Sequence, residues 1–203
     1  MPRCARMIDD DGMYHVLNRG NGQQRVFQKD GDYASFLDVL AQMKERFAVE
    51  IYAYCLMPNH FHLLLKPHTA EDLSRSMQWF MTTHVRRYHR HYGTSGHVWQ
   101  GRFKSFGIQD DDHCLTVARY VEGNPVRAGL VESAIDWCWS SHRGRCGLET
   151  DSLTAPLPMQ FAGNWNEFVN TPMTPTEMAK ARKLIIRQKR NKKPDYGTVA
   201  PYR

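Results

Sequence analysis

Val49-Glu50-Ile51-Tyr52-Ala53-Tyr54-Cys55-Leu56-Met57-Pro58-Asn59-His60-Phe61-His62-Leu63-Leu64-Leu65-Lys66 is the stretch that decides the fold. Two strand-like runs, Val49 to Leu56 and His60 to Lys66, flank Met57-Pro58-Asn59, a connection short enough to make an antiparallel hairpin the economical reading. Strand periodicity sends His60, His62 and Leu64 to one face of that hairpin and Phe61, Leu63 and Leu65 to the other.

Working outward, Met13 to Arg19 has the β-branched and aromatic content of an earlier strand, closed by Gly20-Asn21-Gly22. Between it and the hairpin, Tyr33, Phe36, Leu37, Leu40, Met43 and Phe47 recur at helical spacing, with Asp30 as the expected N-cap of a helix from about Asp32 to Phe47. After the hairpin, Leu73, Met77, Phe80, Met81, Val85 and Tyr88 form the apolar stripe of a second helix, Ala70 to Tyr92, which Gly93 and Gly96 stop. Val98 to Ile108 reads as a fourth strand with a bulge at Gly101, and Asp110-Asp111-Asp112 caps a third helix through Leu115, Ala118 and Tyr120. The order β-α-β-β-α-β followed by a helix is the ferredoxin-like α+β pattern: a four-stranded antiparallel sheet with two helices on one face and the other face open for a site. Residues 1–149 make this domain. Residues 150–203 are loop-rich, regain helical spacing only from Thr176 to Arg190, and are read as an appendage with a basic tail.

Length and composition bound the function. The chain has 203 residues, enough for one domain with a core, and its 41% hydrophobic and 24% charged content belongs to a globular protein. No apolar run reaches the ~20 residues that span a bilayer, and Asp9-Asp10-Asp11 stands where a signal peptide needs apolar residues, so the expectation is a cytoplasmic protein without a membrane partner. Five scattered cysteines without Cys-x-x-Cys spacing suggest neither a disulfide framework nor a zinc ribbon. A net charge of +6 favours a polyanionic partner where the charge clusters near chemistry.

Two imidazoles side by side on a strand can hold a divalent metal, with a third, oxygen-bearing ligand from elsewhere; they can also be two polar residues on a half-exposed strand face. Tyr120 and Asn124 lie four residues apart, so an unbroken helix would put them on one face. A phenolate can attack a phosphodiester and an amide oxygen can complete a metal shell, although phenol, with a pKa near 10, needs nearby positive charge to ionise at neutral pH. Against this, Asn124-Pro125 also looks like the start of a new short helix stopped by Gly129, and an aromatic beside Leu115 and Ala118 is commonly core.

Ala53 to Leu65, Gly96-His97-Val98-Trp99-Gln100-Gly101-Arg102-Phe103-Lys104-Ser105, and Ala118-Arg119-Tyr120 with Asn124-Pro125-Val126-Arg127-Ala128-Gly129-Leu130-Val131 together resemble the REP-associated tyrosine transposases, a branch of the single-tyrosine HUH transposases. The resemblance spans about Tyr14 to Ser141. It implies metal-dependent cutting and rejoining of single-stranded DNA through a 5′-phosphotyrosine, with Mg or Mn as the ion and imperfect palindromic hairpins as substrate. His60 and His62 match the ligand pair, Tyr120 the nucleophile and Asn124 the third ligand, where the wider family usually has Gln. Whether such a chain works as a monomer or a homodimer is left open by the sequence.

Cations interleaved with rings mark a nucleic-acid surface. Arg86, Arg87 and Arg90 close the second helix; Trp99, Arg102, Phe103 and Lys104 line the expected fourth strand; Arg119 and Arg127 flank the tyrosine motif. All nine are expected DNA contacts, with helix-end cations and a core Phe103 as the bland alternative. Eight Lys or Arg between Lys180 and Lys193 extend the charge into the tail. A hairpin-binding protein or repressor without cleavage is the competing function. A rolling-circle initiator fits less well, since Gly96 and Gly101 are followed by Arg102-Phe103 and form no P-loop.

Overall fold

A computed structural model describes residues 12–179 and 181 of the chain. The elements are β1 (Tyr14–Arg19), α1 (Asp30–Arg46), β2 (Val49–Met57), β3 (His60–Pro67), α2 (Ala70–Tyr92), β4 (Lys104–Gly107), α3 (Asp111–Glu122), α4 (Asn124–Arg127), α5 (His142–Arg145) and α6 (Trp165–Asn170). The sheet order is β2-β3-β1-β4 with every pair antiparallel, which is the ferredoxin-like arrangement expected from the element order. The expected tail helix runs mostly outside the described residues, and the basic stretch from Arg182 onward lies there entirely.

Met57 pairs with His60, so the hairpin turns on Pro58 and Asn59 alone. Strand parity then divides the core. Phe61, Leu63 and Leu65 face α1 and α2, where they meet Phe27, Phe36, Leu40, Met43 and Phe80. A bulge between Ile51 and Ala53 puts Tyr52 and Ala53 on the same side, so β2 turns Ala53, Cys55 and Met57 to the second face beside Leu64. The structure corrects the expectation that this face is open: Cys114, Val117, Ala118 and Val121 of α3 pack on it, and of the three histidines beside them His15 and His62 are buried while His60 is half-buried.

Local signals fix the helix ends. Asp32, rather than Asp30, organises the start of α1, its Oδ2 accepting from Gln28 N at 2.7 Å and Lys29 N at 3.1 Å. Thr69 and Asp72 form a reciprocal capping box on α2, and Gly93, at φ 61°, ends it in the left-handed conformation. Asp110 caps α3 by accepting from His113 N at 2.7 Å.

Strand β4 is much shorter than Val98 to Ile108. A regular strand would send Val98 and Trp99 to opposite faces, whereas both bury in the α1/α2 core, and Gly101 at φ 145° allows the irregular path. The open edge of β2 is covered by Leu56 N donating to Trp139 O, Ser141 N to Tyr54 O and Ala155 N to Ile51 O. Residues 134–179 therefore brace the sheet and α3.

Phe36 is fully buried among Phe27, Phe61, Phe80 and His84. Phe36→Ala is expected to cost about 3–5 kcal/mol, read as a lowered urea midpoint at unchanged m-value. A cost below ~1 kcal/mol would show that the aromatic cluster does not hold the helical layer to the sheet.

Candidate active site

His60 and His62 project from β3 onto the second face, and the neighbouring strand supplies a third imidazole that the sequence reading passed over. His15 on β1 pairs in register with Leu64, one step diagonal from His62. Its Nε2 lies 2.8 Å from His62 Nδ1, with the rings stacked at 5.0 Å. His60 Nδ1 is 2.7 Å from Asn59 Oδ1. Since a carboxamide oxygen only accepts, His60 Nδ1 carries the proton and Nε2 keeps its lone pair. For His62, donation from its Nδ1–H to His15 Nε2 is the tautomer that likewise leaves Nε2 as a lone pair.

Burial drives all three imidazoles towards the neutral form, His15 to about 3, His60 to about 4, and His62 well below 6.5. Neutral rings with Nδ1 engaged are what metal ligation by Nε2 requires. Among the described residues no three His, Cys, Asp or Glu side chains converge to hold an ion.

Packing of the α3 stripe brings Tyr120 into this corner. Its ring lies edge-on to His62 at 5.8 Å and to His15 at 6.1 Å between centroids. The Arg127 guanidinium sits 4.3 Å over the tyrosine ring, and its NH2 donates to the Tyr120 carbonyl. Asn124 is not a further turn of the same helix. Helix α3 stops at Glu122, and Asn124 opens α4 with Pro125 behind it, as its dipeptide allows. The Asn124 amide nitrogen is buried without a hydrogen-bond partner, and amide nitrogen and oxygen exchange places by a simple flip, so this carboxamide has an unclaimed polar end. Two imidazole Nε2 atoms and an unclaimed carboxamide fit a small divalent ion by donor chemistry.

A second unread residue holds the arrangement in place. Glu122, fully buried at the end of α3, accepts from Ser141 Oγ at 2.6 Å, Trp165 Nε1 at 2.7 Å and Arg145 Nε at 2.9 Å, and meets His142 Nδ1 at 3.1 Å. Burial alone would raise its pKa, but these donors together hold the carboxyl below its ordinary value. The network ties the tyrosine helix to α5 and α6.

The expected DNA contacts separate into groups. Arg86, Arg87 and Arg90 are exposed on α2, Arg102 is exposed in the preceding loop, and Lys104 is exposed on β4. Lys104 pairs with Leu17, which pairs with His62, so it shares the histidine face; exposed Arg19, opposite His60, does too. Trp99 and Phe103 are core side chains, 4% and 7% exposed, and offer no ring to a base. Arg119 is also turned inward, donating to Glu177 Oε1 and Thr171 O at 2.8 Å each and lying over Phe168. Arg127 is engaged with Tyr120. The core took Trp99 and Phe103, α6 and the residues after it took Arg119, and Tyr120 took Arg127, a competition that spacing along the chain does not display.

The buried groups give stability a definite pH dependence. Unfolded histidine titrates near 6.5, whereas folded His15, His60, His62 and His84 stay neutral to lower pH, so below 6.5 the unfolded chain holds more protons and folding weakens. Glu122 adds to the loss once pH falls below its ordinary 4.5. Stability is expected to be flat between about pH 7 and 8 and to drop between 6.5 and 4 by more than one proton's worth, about 1.4 kcal/mol per pH unit. Urea midpoints at pH 7.5 and 5.5 check this; equal midpoints would contradict the neutral-imidazole assignment.

Comparison with known proteins agrees with the geometry. The family model described as transposase IS200 like matches residues 10–124. A REP-associated tyrosine transposase of Haemophilus influenzae is 31% identical over 125 residues, covering 55% of this chain and 70% of that protein. Its counterpart in Escherichia coli is 24% identical over 137 residues, covering 67% and 76%. The fold is similar to a solved structure of a REP-associated tyrosine transposase bound to a REP hairpin, with a TM-score of 0.61 and 20% identity, covering 81% of this chain and 97% of the other. Among the described residues no helix is long and apolar enough to cross a membrane. With a family model across more than half of its length and named relatives in agreement, the chain belongs to the IS200-like transposases, and within them it is similar to the REP-associated tyrosine transposases.

Proposed function

We propose that this transposase cuts and rejoins single-stranded DNA at hairpin-forming repeats, with Tyr120 as the nucleophile. The observation that carries the reading is the Tyr120 ring against His62 and His15, three side chains from separate segments that meet on one sheet face. In the forward step the Tyr120 oxygen forms a bond to phosphorus and the P–O3′ bond breaks. The phenolic proton passes to solvent, the departing 3′ oxygen takes up a proton, and the 5′ phosphate remains as a tyrosine ester. Attack by a 3′-hydroxyl reverses the exchange, and because the ester keeps the bond energy no ATP is needed.

His60 and His62, with Asn124 as the third protein ligand, would hold Mg or Mn. Bound there, the ion supplies Lewis-acid polarisation of a phosphate oxygen. His15 orients His62 and selects the tautomer that leaves Nε2 available. Arg127 places positive charge beside the ring that turns anionic during attack, and Lys104 and Arg19 line the same face for the backbone phosphates. A hairpin substrate is supported by the REP hairpin in the structurally similar transposase. The domain to about residue 149 carries the chemistry, and the following segment secures α3.

Incubation with hairpin oligonucleotides and Mn should give a covalent adduct visible on a denaturing gel, lost in Tyr120→Phe while hairpin binding persists. An adduct that survives in Tyr120→Phe would remove the assigned nucleophile. His15→Leu is expected to weaken Mn binding roughly 10–100-fold by calorimetry, with partial rescue in His15→Gln, which keeps a hydrogen-bonding side chain. Unchanged Mn affinity in His15→Leu would limit His15 to packing.

A further inference from the structure

A cleft of about 320 Å³ opens between the start of α1 and the C-terminal half of α2, on the side of the sheet away from Tyr120. Its size is at the small end of small-molecule sites, roughly 300–1,000 Å³. Lys29, Arg87 and His91 stand around it, and Tyr88 and Tyr92 form an aromatic wall with ring centroids 4.8 Å apart. Its one carboxylate, Asp32, is already committed: Oδ2 accepts from Gln28 N, Lys29 N and Tyr92 OH, the last at 2.7 Å. The lining thus presents positive charge and ring faces, a combination that suits an anion carrying a flat aromatic group.

A second observation points to a ligand. His84, which also lines the cleft, is 5% exposed, and its Nδ1 has no hydrogen-bond partner among the described residues. A buried polar atom left unpaired forfeits the hydrogen bonds that water would give it, so a site that keeps one is suited to a ligand that supplies the partner. Burial lowers the imidazole to about 4, which makes it neutral and able to hydrogen-bond a polar edge without demanding a counter-ion. Exposed Arg86 and Arg90 continue the positive surface along the same helix, where a strand would place its next phosphates.

We propose that this cleft is a second DNA subsite that takes one nucleotide of the bound strand, its base against Tyr88 and Tyr92 with an edge towards His84, and its phosphate between Lys29, Arg87 and His91. The inference rests on the DNA reading above and deepens it: DNA is gripped on the helical layer while another part of the same molecule reaches Tyr120 across the sheet. Such two-point holding fits a folded hairpin better than a short linear strand.

Fluorescence anisotropy with a labelled hairpin oligonucleotide tests the assignment. Tyr88→Ala should weaken binding about tenfold, as loss of a stacking contact does. Arg87→Ala should weaken it and lower the slope of log affinity against log salt by about one. Arg75→Ala, a charge removal on the exposed N-terminal part of the same helix, should bind as the wild type. A hairpin carrying 5-iododeoxyuridine should photocrosslink to a peptide containing Tyr88 or Tyr92. Wild-type affinity in both cleft variants, or a crosslink confined to other peptides, overturns the subsite. Binding of free deoxyadenosine monophosphate in the cleft, with hairpin affinity untouched by the variants, overturns the strand assignment. Should the wild type bind hairpins yet form no adduct while the cleft variants lose affinity, strand cleavage fails and the subsite stands.

Discussion

The site depends on the docking of α3 across the second face of the sheet. Cys114, Val117, Ala118 and Val121 recur at helical spacing, and they can leave water only against Cys55, Met57 and Leu64. That contact sets both the height and the rotation of the helix, and Tyr120, one residue before Val121, is thereby held beside the imidazoles. Glu122 completes the fixation from the opposite side of the helix end. Removing any one of its four partners would leave part of a fully buried carboxylate unpaired, so breaking the network at a single member is costly.

The histidine corner shows how a sheet can fix the protonation state and tautomer of its side chains by burial and hydrogen bonding. Three imidazoles in low-dielectric surroundings cannot all be charged, and burial keeps them neutral. Neutral imidazole has one donor and one acceptor, and hydrogen bonds to Asn59 and His15 engage the Nδ1 side of both β3 histidines. The remaining lone pair of each ring is then on Nε2. The cost of keeping them neutral is reduced stability at acid pH.

Both faces of the sheet are in use, and they divide the labour. On one face β3 contributes Phe61, Leu63 and Leu65 to a closed aromatic core under α1 and α2; on the other, one residue out of phase, it contributes chemistry. Cations follow the same partition. Arg19, Lys104 and Arg127 belong to the tyrosine side, whereas Lys29, Arg86, Arg87 and Arg90 belong to the helical layer.

The order of elements, the hairpin at Pro58-Asn59, the stop of α2 at Gly93, the capping of α3 and the pairing of His60 with His62 on one face were legible in the chain, because each depends on residues within a few positions of one another and on the fixed periods of strand and helix. Proximity of Tyr120 to those histidines was suggested by motif resemblance alone, since spacing of some sixty residues has no geometric content until α3 docks. Tertiary packing alone decided the rest. It drew Trp99 and Phe103 into the core, shortening β4; it gave Arg119 to Glu177 and Phe168; and it made His15 and Glu122, unremarkable in their local sequence, the residues that hold His62 and the end of α3. The physical reason is the same in each case. Burial and long-range hydrogen bonds are won by competition among all segments at once, and a linear reading sees only the local contestants.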